Sequence, residues 1–133
     1  MAATLRPQLD RLMGVRAALV DLRPAVEDGE PWPLAERFGV EPEASWGPPE
    51  VLAHLAEMLP FWYSQIQLVL DGSSGPVPFG RVADAPARLG AIERDRALRA
   101  GKLFNQIEAG IRPYWWLLPR LTTAEVGRVG LHP

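Results

Sequence analysis

The chain has 133 residues, no cysteine and a formal net charge of −2 at neutral pH. That length predicts a single domain with a real core, and the missing thiols exclude disulfides, thiolate nucleophiles and thiolate metal sites. Arginines interleave with Asp and Glu, leaving no basic face for nucleic acid, and the longest uncharged run, Met58 to Leu70, is shorter than the roughly 20 residues a membrane span needs.

Arg6, Asp10 and Arg11 precede any apolar run, so the N-terminus does not read as a signal peptide, and a soluble, cytoplasmic protein is expected. Residues 4–22 predict a first helix, with Leu5, Leu9, Leu12, Leu19 and Leu22 on one stripe and Pro24 ending it. Residues 24–47 form a connector too long for a simple turn. Within it, Pro33 to Phe38 can make a turn or two of helix, and Trp32 and Phe38 are placed to pin the connector to the domain.

Ser45 to Gly72 carries the most information. Gly47 suits an N-cap, Pro48 the first helical position, and Glu50 the third, where it can reach back to the Gly47 N–H. Trp46 is placed to staple onto Val51, and Asp71-Gly72 marks the end. Two apolar seams run between these ends. One is Leu52, Leu55, Leu59, Trp62, Ile66 and Val69; the other is Val51, His54, Met58, Phe61, Gln65 and Leu68, about 100° further round. A helix with two seams needs neighbours on two sides, so this one is expected at the centre of a bundle, bent at Pro60. His54 then faces inward or nearly so. It reads either as a core histidine with one hydrogen-bond partner or as a metal ligand, since bundle cores host imidazole sites. Glu50 and Glu57, one turn away on either side, are second-shell candidates or solvated charges at the seam's edge, and Met58 and Phe61 are pocket candidates.

The loop 71–80 has no phosphate-binding pattern. Asp84 is a good N-cap for a short helix to about Asp95. A longer helix is predicted over 99–120, with Leu103, Ile107, Ile111, Tyr114, Leu118 and Leu121 on one stripe and Gly110 and Pro113 bending or interrupting it. Tyr114-Trp115-Trp116 cannot share one helical face, which favours packing over ligand stacking. Thr122 and Glu125 form a capping box for a last short turn. No nucleophile elbow, HExxH or convergent carboxylate pair occurs, and His132, near the end of the sequence, is not expected to be rigidly held.

The pattern Trp46…Glu50-Val-Leu-Ala-His54-Leu, together with PVPFGRVAD, ARLGAIERDR and Gly130-Leu-His-Pro133, resembles the DinB/YfiT-like superfamily. These bundle proteins include relatives of mycothiol-dependent maleylpyruvate isomerase. The resemblance implies an all-α four-helix bundle over residues 1–133, with a long first connector and the fourth helix apparently missing from the chain. It also implies a divalent metal, nickel or zinc, with His54 at the position of one ligand. The other two ligands would come from a His-x-x-x-His pair that this sequence lacks, so the metal is expected in a full-length protein and not on these residues alone. The function implied is a metal-dependent enzyme, hydrolase-like or a thiol S-transferase. The alternative is a non-catalytic helical module that binds a small molecule or self-associates. Without a further helix, some of Val51, Met58, Phe61 and Leu68 would face water, so either a C-terminal helix or a second copy is expected to cover them, and a homodimer is expected in both cases.

Overall fold

The computed structural model describes residues 5–36, 45–72 and 75–133. Helix α1 spans Arg6–Asp28, α2 Pro48–Asp71, α3 Pro86–Asp95, α4 Ala100–Leu117 and α5 Thr123–Val126, with a 3-10 turn at Leu118–Arg120. Strands β1 (Val77–Pro78) and β2 (Gly130–Leu131) form a short parallel ladder. The fold is all-α, as the two helical periodicities predict, although the reading allowed for no sheet at all. No helix among the described residues is long and apolar enough to cross a membrane.

Local chemistry sets the α2 and α5 boundaries. At α2 the Gly47 N–H donates to Glu50 Oε1 at 2.9 Å, the reach-back that the sequence predicts. At α5 the Glu125 N–H donates to Thr122 Oγ1 at 3.1 Å, and the Thr122 N–H donates to Glu125 Oε1 at 2.9 Å. The Thr122 N–H, and after it the Thr122 side chain, hold the Glu125 carboxyl pKa below its ordinary value. Helix α3 starts one residue later than Asp84 suggests, with Ala85 at its N-cap.

Helix α1 runs past Pro24 and stops at Gly29, whose N–H donates to the Ala25 carbonyl at 3.1 Å. The ring removes the bond to the Val20 carbonyl, but Val20 is exposed, so water can take its place. The stripe that meets the core is Leu9, Leu12, Leu19 and Val26; Leu22 points to solvent. Arg16 and Arg23 complete this face. Both Glu108 oxygens accept from Arg16 Nε at 2.8 Å, and Arg23 Nη1 donates to Asn105 Oδ1 at 2.9 Å, so α1 is laced to α4 by polar contacts as well as apolar ones. Trp32 pins the connector as expected, its indole donating to the Val26 carbonyl at 2.7 Å. The helical turn expected from Pro33 does not form over residues 33–36, and Phe38 lies outside the described residues.

Helix α2 does have neighbours on two sides, α4 and α3, but the helix at the centre is α4, which packs against α2, against α1 and against the 3-10 turn. The reason lies in the residues. The second seam of α2 is broken by His54 and Gln65, whereas α4 buries Leu103, Phe104, Ile107, Ile111, Tyr114 and Leu117 without a polar interruption. The two helices approach closely at Gly110, where an added Cβ would lie 2.9 Å from Leu59 Cβ. Beside this crossing is a 410 Å³ cleft lined by Ala56, Pro60, Ala109 and Pro113.

Tyr114 closes the same crossing. Its hydroxyl donates to the Leu59 carbonyl at 2.5 Å, and burial pushes its pKa up from 10.0 to about 12. For a raised folded-state value, the stabilisation held by the neutral hydroxyl is complete below the unfolded pKa of about 10 and is lost as pH climbs through the folded one. The urea midpoint is therefore expected to fall more steeply between pH 10 and 12 than that of Tyr114→Phe, measured by circular dichroism. Parallel curves for the two proteins would contradict this.

Candidate functional site

The outer face of α2 brings together three of the residues singled out by sequence: His54, Met58 and Phe61 are all half-buried. On the same helix, Val51 is 41% and Leu68 45% exposed, so the second seam is only partly covered by the described residues.

His54 lies between Trp46 and α3. The indole ring is 5.9 Å from the imidazole, tilted at 58°. From α3, the Arg88 side chain reaches under both rings. Its Nη2 is 3.5 Å from His54 Nδ1, its Cζ is 5.8 Å from the Trp46 ring, and its Nη1 donates to the Ala83 carbonyl at 2.7 Å. Arg88 is only 8% exposed. It shares the buried face of α3 with Ile92, one turn on. A charged residue in the apolar register of a short helix was the signal that marked it, and sequence reasoning passed over it.

The two carboxylates offered as second-shell candidates or solvated charges are neither solvated nor held ready for His54. Glu50 is fully buried; besides the Gly47 N–H, it accepts from the Ala35 N–H and from Arg96 Nη1, each at 3.2 Å. It ties the start of α2 to the connector and to the end of α3. Glu57 is paired with Arg81, whose Nη1 donates to Glu57 Oε2 at 2.5 Å while Nη2 donates to Oε1. The Arg81 guanidinium also lies 3.7 Å over the Phe61 ring. This stack makes Phe61 one wall of the face and commits Glu57 to a bidentate pair.

His132 is exposed and has two aromatic neighbours. Its ring stacks on Trp62 at 6.1 Å and meets Phe79 edge-on at 5.9 Å. Gly80 makes room for it: φ is +85°, and an added Cβ would lie 2.7 Å from the imidazole. The Gly80 N–H donates to Gln65 Oε1 at 2.7 Å. Gln65, Phe79, Gly80 and His132 line a shallow 480 Å³ hollow. His132 thus sits at a different level of α2 from His54, and the two imidazoles do not converge.

A metal ligand bound through one imidazole nitrogen commonly donates its other N–H to a carboxylate or carbonyl. Here Nδ1 of His54 faces a guanidinium, which has donors only. Among the described residues no three His, Asp or Glu side chains come together in a metal-binding group. Searches for related proteins returned no matching family model, no matching curated protein and no matching solved structure.

Proposed function

We propose that the face of α2 bearing His54, Met58 and Phe61 binds a small organic molecule, and that the chain is a helical-bundle binding module. One observation carries this reading. Half-buried apolar walls adjoin a half-buried histidine, while both nearby acids are committed to arginines and so provide no general acid or base. Fragment screening on isotope-labelled protein is the test, read from backbone amide shifts. Hits should cluster between Ala53 and Gln65, and Phe61→Ala should remove them; hits elsewhere, or none, would end the proposal. Self-association is the competing use of the same face, and light scattering on the same sample reads it directly.

A second reading, a metal-dependent enzyme of the DinB-like kind, is favoured by the half-burial of His54 within the Glu50-Val-Leu-Ala-His54-Leu motif. It requires donors beyond the described residues. Calorimetry with nickel and zinc separates the two readings. Under the binding-module reading, His54→Ala leaves any metal heat unchanged. Stoichiometric binding abolished by His54→Ala would establish the metal reading instead.

A further inference from the structure

We infer that the outer face of α1 pairs with the same face of a second copy of this chain, antiparallel, about a two-fold axis beside Ala18. Apolar burial supplies the attraction, and charge decides the direction. This interface lies on a different helix from the α2 face and does not depend on what that face binds.

Helix α1 carries a second apolar seam. Its core stripe runs through Leu9, Leu12, Leu19 and Val26, and the helix packs mainly on α4 and the 3-10 turn. About 100° further round the axis lie Val15, Ala18, Leu22 and Ala25, spaced as the seam of a helix pair requires. All four are exposed, Val15 by 51% and Leu22 by 55%. Gly14, bordering the seam, has nothing within 4 Å of where a Cβ would stand, so a second backbone can come close there.

The charges of α1 say what covers this seam. Arg6 pairs with Asp10, Arg16 with Glu108 and Arg23 with Glu27. The other three, Arg11, Asp21 and Asp28, are exposed and make no ion pair among the described residues. The cation lies in the N-terminal half of the seam, and both acids border its C-terminal half. A parallel pair would set Arg11 against Arg11 and Asp28 against Asp28. Antiparallel pairing about Ala18 sets Val15 against Leu22 of the second copy and brings Arg11 beside its Asp28, at both ends by symmetry. Exposed ion pairs add little affinity, so they select the orientation while Val15 and Leu22 supply the binding. A contact between two single helices is small and makes a weak dimer, with a dissociation constant on the order of micromolar or higher.

Sedimentation velocity over a concentration series reads the assembly. Wild type should pass from monomer to dimer. Leu22→Lys should weaken the dimer by roughly a hundredfold or more, because one substitution removes an apolar side chain from both copies. Arg11→Asp and Asp28→Arg should each weaken it, and the two changes in one chain should restore it to within a few-fold of wild type. These positions are exposed, so in dilute, monomeric samples the variants should keep the wild-type circular dichroism. The chain has no cysteine, so an engineered one reports alone. Ala18→Cys, beside the axis, should cross-link across the dimer under mild oxidation, whereas Ala25→Cys, facing the far end of the other seam, should not. A wild type that stays monomeric to millimolar concentration would overturn the inference. So would a dimer indifferent to Leu22→Lys, one not restored by the paired charge swap, or equal cross-linking at the two cysteine positions. A dimer that ignores the α1 variants and dissociates on Phe61→Ala would overturn it in favour of the α2 face.

Discussion

Glu50→Ala is expected to cost the fold about 3–5 kcal/mol, a large share of the roughly 5–15 kcal/mol that holds a typical domain together. Glu50 is fully buried, and its carboxylate serves the Gly47 N–H, the Ala35 N–H and the Arg96 guanidinium. The loss is less the attraction itself than what is left behind. Arg96, also mostly buried, keeps its charge with only the more exposed Glu93 carboxylate, at 3.4 Å, against it, and two backbone donors lose their acceptor. Glu50→Gln keeps the shape and one acceptor oxygen and should cost less. The double variant Glu50→Leu with Arg96→Met removes both charges and should recover most of the loss, because a buried pair as a whole seldom outperforms well-packed apolar side chains. Urea denaturation of the four proteins gives the answer. A Glu50→Ala protein within about 1 kcal/mol of wild type would show that this pair is not what fastens α2 to α3 and the connector.

The second large effect is expected at the centre of α4. Leu103 is fully buried against the shared core of α2, α3 and α4, and Leu103→Ala should cost about 2–5 kcal/mol through lost burial and the cavity left behind. In a domain of this size that lowers the melting temperature by roughly 10 °C. Leu103 also borders a 470 Å³ cleft lined by Glu30, Trp32, Leu52 and Arg96. The new void can open into this cleft and admit water, which places the cost toward the lower end of that range. Leu22→Ala is the control: Leu22 is exposed on α1, and its loss should stay within about 0.5 kcal/mol. Equal losses at the two positions would mean that α4 is not the centre of this core.

What the sequence could convey was mostly local. The Gly47–Glu50 and Thr122–Glu125 caps lie within four residues, and both form as read. The stripe from Leu103 to Leu121 obeys helical periodicity and is buried apart from Leu118, which is half-buried. What escaped depends on partners far away in the chain. Pro24 was read as a stop because the rule is local, but the helix continues where water can replace the lost bond. The centrality of α4 depends on α1 packing mainly there, which no single-helix pattern encodes. The pairing of Val77 with Gly130 and Pro78 with Leu131 joins two residues on each side across the whole of α3, α4 and α5, in strands too short to leave any alternation. At the candidate site, His54, Met58 and Phe61 were legible from their spacing on one helix. Arg81 was not, because only the return of the chain after α2 brings it to that face; Arg88 showed only as a charge in the apolar register of α3, with nothing local to name its neighbours.

The prolines in α2 and α4 have a consequence of a different kind. Pro60 cannot bond the Ala56 carbonyl, and Pro113 cannot bond that of Ala109, yet all four residues line one cleft. Two neighbouring helices therefore carry their missing rungs side by side, like a crease scored through two layers at once. The Tyr114 hydroxyl on the Leu59 carbonyl stitches across that crease. Below it, Leu52, Ala53 and Ala56 are locked to α4; beyond it, α2 carries the exposed Leu68 and the half-buried Ile66 and Val69. Such a layout is expected to let α2 open first in the half beyond Pro60, the half that carries Trp62 and its contact with His132.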